Sequence, residues 1–472
     1  MEAIPLDDEP TKELFRTGAT MGCFQVESPG MRQLLQKLRA DNLEIIIAAS
    51  SVIRPGPADT GMMTAFIRRY LGKEPAVYLH AKLESILGET LGVMLYQEDI
   101  LKVASAIGGM SLGEADNLRR SMSKKRGYEG MAQEKDRFLA GARKNGISDG
   151  VAAEIWRQIE GFAGYAFCKA HSASYARLSW QAAYLKAHYP AEFMAAVLTN
   201  QGGYYGPWAY VEEARRMGIR ILPPDVNRAE RAFSASDGGI VVGMMSVKSL
   251  TEKAIRTILT ERAERPFESL SDFVRRVPMS LRECENLIQC GGMDEFDGNR
   301  PQKIWRLQML FDDVRRADRR KSTIAGSGLF ASLCEMEPAV PDIPDYALAE
   351  KIGYERRVLE FCVSAHPMVL LGDRYRSGDF VAIRDIAHHI GKRITVAGVV
   401  IAAKGTTTAR NERMKFVSLE DHTGVLEVVL FPDSYRRYGR ALQAGGLIVT
   451  GRVAEDETAL TMEVQSVGAL EI

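Results

Sequence analysis

The chain has 472 residues, with 61 Lys and Arg set against 61 Asp and Glu, so its formal net charge is zero. Hydrophobic residues make up 46% and charged residues 26%, an ordinary globular composition with ample material for a core and a length that suggests about three domains. The longest apolar stretches, such as 43–49, are too short and too polar at their flanks to span a bilayer, and a neutral balance gives no general support to a nucleic-acid binder, which is often basic.

The first residues, MEAIPLDDEPTKE, are acidic and lack the apolar segment of a secretory signal. Cys23, Cys168, Cys284, Cys290, Cys334 and Cys362 are scattered without Cys-x-x-Cys spacing. They read as reduced thiols of a cytoplasmic protein, with neither a zinc site nor a disulfide framework suggested. Residues 1–200 are mostly helical in pattern, with apolar residues at spacings of three and four in 31–38 and 83–87. Arg54-Pro55-Gly56-Pro57 must break helix, because proline fixes φ and excludes its predecessor from the α region. Residues 182–198 are helical again, interrupted at Tyr189-Pro190; 202–207 are loop-like and 210–217 helical.

Pro223-Pro224 leads into a small mixed region, 219–300, with a short strand expected at 240–245 and helices at 250–262 and 281–289, the last ended by Gly291-Gly292. Residues 301–320 read as a basic helix, 321–346 as a linker marked by Gly326, Gly328 and several prolines, and 347–370 as a helix that stops near Pro367. From 392 the period becomes alternating. Strands are expected at 394–401, 414–419, 425–431, 447–453 and 460–467, separated by turn signals at Lys404-Gly405, 421–424, Gly445-Gly446 and Asp456. Five short strands in so few residues suit a small closed barrel of the oligonucleotide-binding (OB) type. The expected fold class is therefore multidomain, mainly α, followed by a C-terminal all-β OB-type barrel.

Local asymmetry hides behind the zero net charge. Arg119, Arg120, Lys124, Lys125 and Arg126 form one basic cluster, and Arg315, Arg316, Arg319, Arg320 and Lys321 another; local patches, rather than net charge, set phosphate contacts. Guanidinium groups grip phosphate oxygens in a fork and lysines supply a point charge, but taken alone the 118–125 segment reads rather as a solvated helix face. Residues 164–176 interleave aromatic, cationic and small side chains. Lys169 suits a phosphate, while His171 reads either as a ligand-facing donor or as a satisfied structural histidine. A serine hydrolase is excluded there, since no Gly-x-Ser-x-Gly surrounds the serines. In the barrel, Lys404, Arg410, Arg413, Lys415, Phe416 and Phe431 are candidates for contact with a single strand, though by alternation Phe416 and Phe431 read rather as barrel core.

These pieces are ordered along the chain in a familiar way. Phe24-Gln25-Val26-Glu27-Ser28, Arg54-Pro55-Gly56-Pro57, Gly92-Val93-Met94-Leu95-Tyr96-Gln97-Glu98, Ala115-Asp116-Asn117-Leu118-Arg119-Arg120, Lys169-Ala170-His171-Ser172, Leu185-Lys186-Ala187-His188-Tyr189-Pro190-Ala191-Glu192-Phe193-Met194 and Leu222-Pro223-Pro224-Asp225-Val226-Asn227 together resemble the alpha subunits of bacterial DNA polymerase III, the C-family DNA polymerases. The resemblance implies polymerase fingers at 1–218, a helix-hairpin-helix-like DNA-binding region at 219–320, a linker with a degenerate clamp-binding box at 321–346, a helical connector at 347–390 and an OB-fold single-strand-binding domain at 391–472. It implies that Arg119, Arg120, Lys169 and His171 bind the incoming deoxynucleoside triphosphate, with the histidine excluding ribonucleotides by bulk. Lys124, Lys125, Lys248, Lys404, Arg413, Lys415 and Phe416 are the implied DNA contacts.

The family's metal-binding aspartates precede the region this chain matches, and the sequence holds no Asp-x-Asp. Two-metal chemistry needs clustered carboxylates, so the Mg²⁺ ions are expected on palm residues outside this chain, and the chain alone is expected to be inactive. Implied partners are primer-template DNA, deoxynucleotides, an N-terminal palm-bearing segment, other polymerase III holoenzyme subunits and the sliding clamp. No membrane partner is implied. Three departures from the family pattern stand out. Ser249-Leu250-Thr251 replaces the usual Gly-Val-Gly hairpin, which puts phosphate binding there in doubt. The clamp box keeps only its apolar pair, Leu329-Phe330, which leaves clamp binding open. Cys168 and Ala170 replace commoner polar residues beside His171. Two other readings stand beside the main one: an error-prone C-family polymerase for translesion synthesis, toward which 200–207 and the degraded clamp box lean, and a non-catalytic DNA-binding scaffold.

Overall fold

The computed structural model describes residues 4–53, 61–123, 128–161, 168–236, 238–321, 340–408 and 410–470, with side chains excepted at 123, 128–130 and 312–321. The chain divides into two compact units, Met1–His188 with Asp456–Ala459, and Tyr189–Glu455 with Leu460–Ile472.

The first unit is helical: α1 (Glu9–Arg16), α2 (Pro29–Leu38), α3 (Leu43–Val52), α4 (Met62–Tyr70), α5 (Glu84–Leu87), α6 (Gln97–Ala106), α7 (Leu112–Ser123), α8 (Tyr128–Lys144), α9 (Asp149–Gly161) and α10 (Lys169–His188). Its starts follow capping chemistry. Asp8 caps α1 and Asn42 caps α3, each accepting the backbone N–H three residues on at 3.0 Å. The long α10 packs small side chains inward: Ser172, Ala176, Ser179 and Ala183 are buried beside Trp180, and the Ser172 and Ser51 hydroxyls meet at 2.8 Å. The Trp180 ring stacks on Phe15 of α1 at 5.6 Å. Lys186, almost wholly buried, is tolerated because its ammonium donates to the carbonyls of Ala19 (2.9 Å) and Met21 (2.8 Å).

The second unit opens with α11 (Pro190–Asn200) and α12 (Pro207–Arg216). A three-stranded sheet follows in the order β1 (Arg220–Leu222), β3 (Gly239–Val241), β2 (Ser234–Ser236), with β1 parallel and β2 antiparallel to β3. Then come α13 (Glu252–Glu264), α14 (Leu270–Arg276), α15 (Leu281–Gln289), α16 (Arg300–Lys321), α17 (Leu348–Leu359) and α18 (Gly372–Arg376). The expected strand at 240–245 is only the three residues of β3, followed by a 3₁₀ turn at Met244–Ser246. The helix expected over 347–370 stops at Leu359. Glu360 takes a left-handed conformation (φ 69) that ends it, and a separate 3₁₀ turn, Pro367–Leu371, carries the remaining apolar residues.

The unit ends in a closed five-stranded barrel, β4 (Arg393–Thr407), β5 (Arg413–Asp421), β6 (Gly424–Leu430), β7 (Gly446–Asp456) and β8 (Ala459–Leu470), in the order β4-β5-β6-β8-β7. Between β6 and β7 lies α19 (Pro432–Tyr438). Val396, Val417, Leu419, Leu426, Val428, Leu430, Val449, Met462 and Val464 fill the interior, as alternation in each strand requires. Lys404-Gly405 is not a turn: both residues lie inside β4, paired with Phe416 and Lys415 of β5. A register shift between Val400 and Ala402 bends the long strand and lets it continue past the barrel core. No helix among the described residues is long and apolar enough to cross a membrane.

Candidate functional site

The first-unit site is built on the N-terminus of α6 and one face of α7. α7 begins in a reciprocal cap, in which the Ser111 N–H donates to Glu114 Oε2 (2.8 Å) and the Glu114 N–H to Ser111 Oγ (3.4 Å). Ala115, Leu118 and Met122 are buried, so helical spacing puts Arg120 on the opposite, exposed side, Asp116 beside it, and Arg119, four residues after Ala115, at the edge of the buried stripe. The Asp116 carboxylate holds both arginines. Its Oδ1 accepts from Arg119 Nε at 2.9 Å and Nη2 at 2.8 Å, and its Oδ2 from Arg120 Nε at 2.7 Å. The Arg119 hydrogen bond holds the Asp116 carboxyl below its ordinary range. Arg119 also donates to Gln97 Oε1, at the first residue of α6, at 3.3 Å.

Lys169 arrives at the same place from α10. Its backbone N–H donates to both oxygens of Glu98, at 3.1 and 3.0 Å. Its ammonium pairs with Glu89 and lies 5.4 Å above the ring of the buried Tyr96. Consecutive residues 96, 97 and 98 thus touch Lys169, Arg119 and Lys169 again. Asp99 anchors this corner: its Oδ2 accepts the N–H groups of Leu95 and Tyr96 at 2.9 Å each, and burial pushes its carboxyl up to about 6 against the pull of those bonds.

His171 stands elsewhere on α10. It lies two positions after Lys169, about 200° around the helix. Its ring packs edge-on against Tyr175, 4.2 Å away, and Tyr175 in turn meets the half-exposed Phe24 at 5.2 Å. The structure therefore brings Arg119, Arg120 and Lys169 to one corner and puts His171 on the other flank of the same helix. Sequence reasoning missed Asp116, Gln97, Glu98 and Glu89 as partners. Asp116 was legible from its spacing of three and four before the arginines; the others act across 22, 71 and 80 residues of sequence. Lys124 and Lys125, and the clamp-box pair Leu329 and Phe330, lie outside the described residues.

In the second unit, Lys248 is exposed at the turn before α13. The next residue, Ser249, adopts φ 65, the left-handed conformation glycine takes most readily, so the hairpin shape persists without glycine. Thr251, however, donates both its N–H (3.0 Å) and its hydroxyl (2.9 Å) to Glu283 Oε1, so a carboxylate of the chain already occupies that donor pair.

On the barrel, Lys404 of β4 lies directly opposite Phe416 of β5, and Phe416 opposite Val429 of β6. These share the outer face. Arg413 and Lys415 alternate with it and fall in phase with the core residues Val417 and Leu419, beyond the end of the packed interior. The expectation that Phe416 and Phe431 are barrel core is corrected. Phe416 is only partly buried and belongs to the outward phase of β5, and Phe431 is 44% exposed because β6 ends at Leu430 and Pro432 starts a helix. Arg410 is exposed in the β4–β5 turn.

Comparison with known proteins places these features in one frame. Residues 1–146 match the bacterial DNA polymerase III alpha subunit finger domain, 218–303 a helix-hairpin-helix motif, and 394–470 an OB-fold nucleic acid binding domain. The chain matches the fingers, helix-hairpin-helix and OB-fold part of bacterial DNA polymerase III alpha subunits. It is 38% identical to the DNA polymerase III subunit alpha of Thermus aquaticus over 100% of this chain and 39% of that protein. Against the Escherichia coli K12 subunit it is 36% identical over 96% of the chain and 41% of the relative. An error-prone DNA polymerase of Symbiobacterium thermophilum is 34% identical over 93% of the chain and 44% of the relative. The chain thus spans about two fifths of the length of the curated alpha subunits it matches.

Proposed function

We propose that this chain serves as the nucleotide- and DNA-gripping portion of a DNA polymerase III alpha subunit, acting in template-directed DNA synthesis. Residues 1–218 are the fingers, 219–320 the helix-hairpin-helix-like region, 347–390 a connector and 391–472 the single-strand-binding OB domain. Arg119, Arg120 and Lys169 take the triphosphate of the incoming deoxynucleotide, and the observation that carries this is their convergence on residues 96–98. His171 works from the far flank of α10 against the sugar. Lys248, Lys404, Arg413, Lys415 and Phe416 contact DNA, with stacking on Phe416 beside the Lys404 charge.

The chemistry implies Mg²⁺, which lowers the barrier by steadying attacking and leaving oxygens. Among the described residues no group of three or more His, Cys, Asp or Glu side chains is arranged to hold a metal, and the metals are assigned to palm residues outside this chain. What this chain supplies is positioning and positive charge at the phosphates. The test has two parts. Binding of deoxyadenosine triphosphate to the purified chain should weaken at least tenfold in Arg119→Ala, and primer extension should require a palm-bearing segment in addition to this chain. Extension by the chain alone, or nucleotide binding indifferent to Arg119, would overturn the proposal.

The similarity to an error-prone polymerase supports a second reading, synthesis across damaged templates. Error rates of the reconstituted enzyme on intact and lesion-bearing templates separate the two.

A further inference from the structure

The cations of the proposed triphosphate site are already matched by carboxylates of the chain itself. Asp116 uses one oxygen for Arg119 and the other for Arg120. Glu89 meets the Lys169 ammonium from a different segment, 80 residues away in sequence. None of these pairs closes a buried core: the side chains of Arg120, Lys169 and Glu89 are 64%, 40% and 61% exposed. The acids therefore sit where a ligand approaching Arg119, Arg120 and Lys169 has to come. With Glu98 at the start of α6 accepting the Lys169 N–H, three carboxylates stand among three cations, which leaves the corner without net positive charge toward a weakly charged anion.

We propose that Asp116 and Glu89 are internal anions which a phosphate ligand must displace, so that they hold the three cations in place yet keep simple phosphate from occupying them. This rests on the triphosphate reading above and assigns two residues to the selectivity of that site. A triphosphate carries several charges and many acceptor oxygens, so it outcompetes a carboxylate on all three cations at once. Inorganic phosphate spans fewer of them, and its weaker binding falls below what displacement of the same pairs requires. Partly exposed ion pairs are individually weak, which sets the expected scale at about two- to fivefold in affinity per acid.

Titration calorimetry of the full chain, in chelator so that no metal masks ligand charge, tests this with deoxyadenosine triphosphate and inorganic phosphate as probes. Asp116→Asn and Glu89→Gln should each tighten triphosphate binding about two- to fivefold, and the double variant should bring phosphate binding into measurable range. Asp116→Glu, which keeps the charge, should behave as wild type. Asp149→Asn removes one negative charge at a pair with Arg143 instead, and should change nothing. Weaker or unchanged triphosphate binding in Asp116→Asn would overturn the proposal, as would an equal gain in Asp149→Asn, which would mark a general charge effect. Failure of the underlying reading shows differently, as wild-type chain whose triphosphate binding is absent or insensitive to Arg119→Ala.

Discussion

One carboxyl, Asp99, ties the approach to α6 to its first turn. It accepts two backbone N–H groups and is buried, and burial dominates, so its pKa rises from 3.8 to about 6. An acid whose pKa is raised by folding binds its proton more tightly in the folded chain, so its contribution to stability is full below pH 3.8 and is lost as pH climbs through about 6. The difference corresponds to about 3 kcal/mol. Asp99→Asn keeps an acceptor oxygen for Leu95 and Tyr96 but cannot ionise. The wild-type melting temperature should therefore fall relative to Asp99→Asn between pH 4 and pH 6.5, followed by circular dichroism on both proteins. Parallel curves would mean that the two N–H bonds outweigh desolvation.

At the scale of elements, α12 and β5 are joined by a buried ion pair. Glu420 is fully buried on β5, with Oε1 accepting from Arg216 Nη1 at 2.7 Å and Oε2 from the Trp208 indole N–H at 2.9 Å. Burial pushes the Glu420 carboxyl upward against the pull of the guanidinium. On the barrel side, a Cβ at Gly398 of the adjacent β4 would lie 2.5 Å from the Glu420 carbonyl oxygen, so only glycine fits beside it. Arg216→Met strands a buried carboxylate and should cost about 3–5 kcal/mol, whereas pairing it with Glu420→Gln should recover much of that loss. Hydrogen exchange of the β5 amides reads both. An equal loss in the single and double variants would show that packing, not charge pairing, sets the link.

This element scale also shows what the sequence made legible. The five barrel strands stood out because alternation persists in each, and α15 because Gly291-Gly292 marks its end; the reciprocal cap of Ser280 and Glu283 at its start came only with the structure. The end of α17 did not stand out, since nothing in 347–370 marks Glu360 as left-handed before Pro367. α19 was missed because seven residues beginning at Pro432 are too few for a helical period to register. In the site, Arg119 and Arg120 were legible as a charge cluster and Lys169 as the cation in the interleaved segment 164–176. Their partners Glu89 and Glu98 were not, because those contacts exist only after α6 and α10 have packed.

For the whole molecule, a net charge of zero means that any grip on nucleic acid must come from a few placed cations rather than from a general field. On the barrel the proposed ones are Lys404, Arg413 and Lys415; if all three meet phosphates of one single strand at the open end of the β4–β5 pair, counterion release gives a slope of log affinity against log salt of about −2. Lys404→Ala should flatten that slope to about −1.4, because one contact is lost. Phe416→Ala should leave the slope alone and weaken binding at every salt concentration by about 1–3 kcal/mol, the worth of a stacked base. Fluorescence anisotropy of a labelled oligothymidine with the full chain measures both quantities. If Lys404→Ala shifts the line without flattening it, Lys404 acts through packing against Phe416 rather than on a phosphate. If Phe416→Ala changes nothing, the outer face of β4 and β5 is not where the strand lies, and the contact belongs to the opposite phase, with Arg413 and Lys415.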